Sequence, residues 1–181
     1  MKRIIRKGRL VASLDVQNAL ESLFVAETLK GSTEFWIVSP WLSDVAIIDN
    51  RGGRFAHLSE LGDRRLKLTE VLLYLVERFG TKVTVVISDD GWASEARQGI
   101  PAAFKQAGKS GFLNMYVKPR NHLHDKIIAT KDWLVSGSMN FTNQGITVRD
   151  EHVDIETDPA MIAPILIDLR NRYPVGGADN E

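Results

Sequence analysis

A chain of 181 residues with 44% hydrophobic content is long enough for one well-buried domain and too short for two of ordinary size. One domain over residues 1–175 is expected, with 176–181 as a flexible C-terminal tail. Lys plus Arg (23) balance Asp plus Glu (23), so net charge argues neither for nor against a polyanionic partner, and any nucleic-acid site must come from local clustering. The absence of cysteine excludes disulfides, thiolate metal sites and thiol catalysis, and it fits a reducing compartment.

The first residues are basic (Lys2, Arg3, Arg6, Lys7, Arg9), but no apolar stretch of signal-peptide or membrane-spanning length follows, so a soluble, cytoplasmic protein without a membrane partner is expected. From Asp15 to Lys30, Val16, Leu20, Leu23 and Phe24 share one face at helical spacing, with Asp15 as the N-cap and Gly31 as the stop. Phe35 to Val38 is a short apolar run ended by Ser39-Pro40, the pattern of a strand buried on both faces. Leu42 to Lys67 has no sustained period, and Arg51 to Arg54 reads as an exposed loop. A helix is predicted over Thr69 to Phe79, stopped by Gly80, and a buried strand over Val83 to Ile87, ending in the acidic turn Ser88 to Gly91. Pro101 is expected to open a short helix that ends near Gly108. Strands are predicted over Phe112 to Val117, Lys126 to Thr130, Trp133 to Ser136 and Val153 to Thr157. From Asp158 to Tyr173 the spacing is helical, with Pro164 as a kink or a start. The alternation of strands and helices predicts an α/β fold, a mixed β-sheet covered by helices. No internal repeat is present.

Between Asn121 and Asp154 the polar residues are too many and too oddly placed for an ordinary hairpin. His124 and Lys126 lead into one strand, Lys131-Asp132 make the turn, and the return strand ends in Gly137, Ser138 and Asn140. Alternation along a strand puts His124 and Lys126 on the same face. The hairpin brings Gly137 and Ser138 back alongside them, and a glycine there lets the backbone approach a ligand. A lysine, a hydroxyl, an amide and backbone N–H groups around an imidazole make a phosphate pocket with a nucleophile inside it.

His124-x-Lys126 followed by Gly137-Ser138-x-Asn140-x-Thr142 resembles the signature of the phospholipase D superfamily, in the form of its small bacterial nucleases with a single motif. Glu151 stands where that family places a glutamate that orients the histidine. The family usually has an aspartate at the position of Lys131; here Asp132 follows it, which implies a tighter hairpin. The resemblance implies a phospholipase D-like α/β sandwich and a metal-independent phosphodiesterase, with no cofactor. His124 attacks phosphorus to form a phosphohistidine, and an equivalent histidine protonates the leaving oxygen and then activates water. Glu151 holds the imidazole tautomer, and Lys126, Ser138 and Asn140 stabilise charge on the non-bridging oxygens.

That chemistry needs two histidines and two lysines. Of the four histidines only His124 has a lysine two residues on, so the second half-site is expected from another copy of the chain, in a homodimer with the motif at its two-fold axis. The leading function is an endonuclease acting on DNA or RNA. The alternatives are a phosphodiesterase of phospholipid or small diesters, and a nucleic-acid-binding subunit retained with defence-system partner proteins. His122-x-His124 with Asp125 has the look of a metal site, but Lys126 beside a cation would be repelled, so His122 only flanks. Trp36, Trp41, Trp92 and Trp133 are read as core more than as base-stacking rings. Lys118, Arg120, Arg51, Arg54 and the basic N-terminus are candidate phosphate contacts only if they cluster near the motif.

Overall fold

The computed structural model describes residues 2–6, 12–147 and 152–174. Among them a seven-stranded sheet has the order β1-β9-β8-β7-β2-β5-β6. Its strands are β1 (Lys2–Arg6), β2 (Glu34–Val38), β5 (Lys82–Ser88), β6 (Leu113–Lys118), β7 (Ile127–Ala129), β8 (Leu134–Gly137) and β9 (His152–Glu156). β2, β5 and β6 run parallel, while β7, β8, β9 and β1 are joined by antiparallel pairing. The sheet is mixed, as the sequence predicts.

One face carries α1 (Ala12–Lys30), α2 (Leu68–Phe79) and α3 (Ser94–Gln106), whose Phe24, Leu72 and Phe104 pack with Phe35, Val83 and Val85 in the larger core. The other face carries α5 (Pro159–Arg172), where Ile162, Leu166 and Leu169 pack on Trp36, Val38 and Val86. β2 and β5 lose water from both faces, which is why their sequences are unbroken apolar runs. Glycine ends α2 as expected: Gly80 has φ 68° and its N–H reaches the Val76 carbonyl. No helix among the described residues is long and apolar enough to cross a membrane.

Several expectations need correction. α1 begins at Ala12, so Asp15 lies inside the first turn and is not the cap. α3 begins at Ser94 and runs through Pro101, because Ala96, Ile100 and Phe104 bury at helical spacing on both sides of the proline and outweigh the one donor it removes. α5 begins at Pro159, capped by the Asp158 side chain accepting from the Ala160 N–H at 3.0 Å, and continues past Pro164. The stretch without a period holds a two-stranded sheet of β3 (Ala46–Asp49) and β4 (Arg65–Lys67), joined through short 3₁₀ turns. The basic start is strand β1, paired with β9 from Lys2↔Glu156 to Arg6↔His152. The expected tail, 176–181, lies outside the described residues, as do Lys7 and Arg9.

Candidate functional site

The parallel strands β2, β5 and β6 all finish at one rim of the sheet, and the chain enters β7 and leaves β8 at the same rim. Val38 pairs with Ile127 and Ile127 with Ser136, so the segments after Val38, before Ile127 and after Ser136 are neighbours. The rim outside the carboxyl ends of parallel strands is where open α/β sheets bind ligands. Short bonds tie its loops together: the Ser39 N–H donates to the Val86 carbonyl at 3.0 Å, and the Ser43 N–H to the Phe141 carbonyl at 3.0 Å.

His124 and Lys126 reach this rim ahead of the hydrogen-bonded part of β7. Burial nevertheless alternates through them. Leu123, Ile127 and Ala129 belong to the core under α5, and Ile128 to the core under α1. Asp125 follows the α5 side, where its carboxylate accepts from Arg172 at 2.7 Å. His124 and Lys126 therefore take the opposite face together, as alternation predicts. Lys126 stands one step beyond the Ile127↔Ser136 rung, beside Gly137.

Both side chains fold back on their own loop. The exposed His124 ring places Nε2 3.1 Å from the Asn121 carbonyl, and the half-buried Lys126 ammonium donates to the His124 carbonyl at 2.7 Å. A carbonyl only accepts, so in this arrangement Nε2 is the donor.

Gly137 has φ 146°, and a Cβ there would lie 2.0 Å from the His152 carbonyl oxygen. The close approach that requires glycine is to the neighbouring strand, not to a ligand as the sequence suggested. That approach clamps Ser138 to His152 in both directions. The Ser138 N–H donates to the His152 carbonyl at 3.0 Å, and the Ser138 Oγ accepts from the His152 N–H at 2.9 Å. The Ser138 N–H is thus committed to the sheet rather than to a phosphate pocket.

Asn140 is buried, and its carbonyl accepts from the Thr142 N–H at 2.9 Å. A Cβ at Gly145 would meet that same Asn140 carbonyl at 2.1 Å, so a second glycine lets the short helix α4 (Asn143–Thr147) close over it. Ser39 Oγ lies 2.7 Å from the Trp41 carbonyl and 3.4 Å from Asn140 Oδ1. A hydroxyl has one proton, and the shorter contact takes it, so Ser39 is at most a weak donor to the Asn140 carboxamide. Glu151 lies outside the described residues.

The departure from the family pattern sits far from this rim. Lys131 and Asp132 form the turn at the other end of β7 and β8, where the Thr130 N–H donates to the Trp133 carbonyl at 2.9 Å and Asp132 pairs with Lys131 at 2.7 Å and Lys30 at 2.9 Å. At that end too, the buried Glu27 accepts the Trp133 indole N–H at 3.0 Å, and burial pushes its carboxyl pKa up.

The other candidates divide. Lys118 ends β6 at the rim and Arg120 opens the turn that follows, its N–H donating to Asp89 at 3.1 Å. Arg51 and Arg54 do not join them; Arg51 forks onto Asp49 at 2.8 and 2.6 Å, and Arg54 pairs with Glu21 at 3.4 Å. Trp36 and Trp133 are core, whereas Trp92 is 72% exposed. Among the described residues no group of three or more His, Asp or Glu side chains is placed to hold a metal ion. Sequence reasoning missed the clamp on Ser138 and the pairing of Asp125 with Arg172. An acidic residue between His124 and Lys126, with arginines ending α5, is the signal that was available for the second.

No family model and no curated protein matches the chain by sequence. Solved structures do match its fold. Nuc from Salmonella typhimurium, a phospholipase D family member, superposes with a TM-score of 0.57 at 17% identity, over 96% of this chain and 93% of its own. NucT from Helicobacter pylori gives 0.54 at 11% identity, over 96% and 94%. The phosphatidylserine synthase of Haemophilus influenzae Rd KW20 gives 0.53 at 11%, over 95% of this chain and 38% of that one. The fold is that of the phospholipase D family. The match to Nuc and NucT runs over nearly the whole length of each, in agreement with the resemblance read from the motif.

Proposed function

We propose that the chain is a phosphodiesterase of the phospholipase D type, a metal-independent endonuclease whose active site is completed by a second copy. The observation that carries this reading is the placement of His124 and Lys126 on one face at the sheet rim, beside Gly137 and the segment that holds Ser138 and Asn140. A phosphate diester entering there takes Lys126 away from the His124 carbonyl and His124 away from the Asn121 carbonyl. Both bonds are local and solvent-accessible, so exchanging them for phosphate oxygens costs little.

A deprotonated ring nitrogen of His124 attacks phosphorus, and the bond to the leaving oxygen breaks. His124 of the partner subunit supplies the proton to that oxygen. The same group then takes a proton from water, which attacks phosphorus and breaks the P–N bond. Lys126 and the Asn140 amide offset charge on the non-bridging oxygens, and Ser138 contributes its hydroxyl. Glu151 is assigned to hold the imidazole tautomer. Metal independence follows from the chemistry of the set: a lysine already supplies the positive charge beside the nucleophile, and it would repel a divalent ion.

Mixed dimers test the shared site, with the reaction run in EDTA on labelled single- and double-stranded DNA and RNA. After verified subunit exchange, an equal mixture of wild-type and His124→Ala chains is expected to retain about one quarter of the activity, because only wild-type pairs have both histidines. About one half would show independent sites in each chain. Loss of all activity in EDTA, restored by a divalent ion, would contradict the phosphohistidine route.

A further inference from the structure

We infer that Trp92 is a stacking platform for an unpaired base, which makes single-stranded nucleic acid the substrate class of the proposed site. The inference rests on the nucleic-acid reading above. Trp92 follows β5 at the same rim as the motif and is the most exposed large hydrophobic residue described, at 72%. Trp36 and Trp133 are hidden, at 2% and 3% exposure, and Trp41 is half-buried.

The backbone that carries the exposed ring is held, and a second indole stands beside it. Asp90 accepts the Trp92 backbone N–H at 3.0 Å through one carboxylate oxygen and the Trp41 indole N–H at 2.7 Å through the other. The two rings stand 6.2 Å apart at 44°. Arg120 closes the arrangement, its Nε 3.8 Å from Asp90 and its N–H on Asp89. Arg120 also begins the turn Arg120–His122 that leads to His124, so the platform and the nucleophile hang on adjoining loops.

An exposed indole with an arginine on the adjoining loop is the combination that binds bases without reading their edges. The base must be out of its stack to lie on it, which selects a single strand. A second copy of the chain is the poorer occupant. The segment that carries Trp92 is charged, with Arg97 donating to the Asp89 carbonyl and Arg120 beside Asp90, whereas the centre of a protein interface is depleted in charge.

Binding is measured without turnover, on the His124→Ala chain, by anisotropy of an oligothymidylate and of an abasic oligomer of equal length. Trp92→Ala is expected to weaken oligothymidylate binding by about 10- to 100-fold and to leave the abasic oligomer unchanged, with Trp92→Phe retaining most of the affinity. Equal loss for both oligomers, or no loss, overturns the inference. So does a fall in molar mass of Trp92→Ala by light scattering, which would make the indole part of a subunit interface. If oligothymidylate binding depends on Trp92 while the wild-type chain cleaves no nucleic acid, the stacking inference stands and the proposed activity fails.

Discussion

His124→Ala is expected to lower kcat for phosphodiester cleavage by at least about 10⁴-fold while leaving substrate binding close to wild type. The imidazole supplies the bonding electrons in the first step, and no neighbour on the described rim replaces it. His122 is exposed, one turn earlier, and begins no strand; His152 is occupied with Asp154, its Nε2 3.0 Å from the carboxylate. Because the His124 side chain is exposed and bonds only to the Asn121 carbonyl, the substitution removes little that supports the fold. A single-turnover assay beside a binding isotherm separates the two effects. Wild-type cleavage by a preparation free of contaminating nuclease would place the nucleophile elsewhere.

Gly137→Ala is expected to destabilise the fold by about 3–5 kcal/mol, with Tm falling on the order of 10 °C. Two costs add. The backbone at φ 146° is one that side-chain-bearing residues rarely adopt, and the new methyl would lie 2.0 Å from the His152 carbonyl, which belongs to the adjacent strand and cannot rotate away. Gly52 is the internal control. Its φ of 71° is also left-handed, but nothing lies within 4 Å of the added carbon, so Gly52→Ala should cost only about 1 kcal/mol. Thermal melts of both variants measure the difference. Equal melting temperatures would remove the strand clamp from this account, and with it the fixed position of Ser138.

The motif was legible in the sequence because its chemistry is written in residue types at strand spacing. The face shared by His124 and Lys126, with Asp125 turned away, follows from alternation alone. The two central strands were legible for a similar reason, since burial on both faces leaves Phe35 to Val38 and Val83 to Ile87 with no polar position except Thr84. What sequence could not give depends on partners distant in the chain. β1 is charged and at an edge, and it reads only as a basic N-terminus until β9 pairs with it. Pro101 reads as a helix start, and Pro164 as a kink or a start, because the packing that outweighs them comes from other elements. Gly137 reads as room for a ligand until His152 is seen against it. Four tryptophans look alike in sequence, and only the fold separates Trp92 from the rest.

The central claim is a covalent bond between His124 and the scissile phosphorus. An oligonucleotide radiolabelled at internal phosphodiesters, mixed with excess protein and quenched under denaturing alkaline conditions during the first turnover, tests it directly. The account predicts a protein adduct that is stable to alkali, released by acid, mapped to the peptide containing His124 and absent from His124→Ala. Full turnover with no labelled protein at any quench time, or label on a residue other than His124, would contradict it.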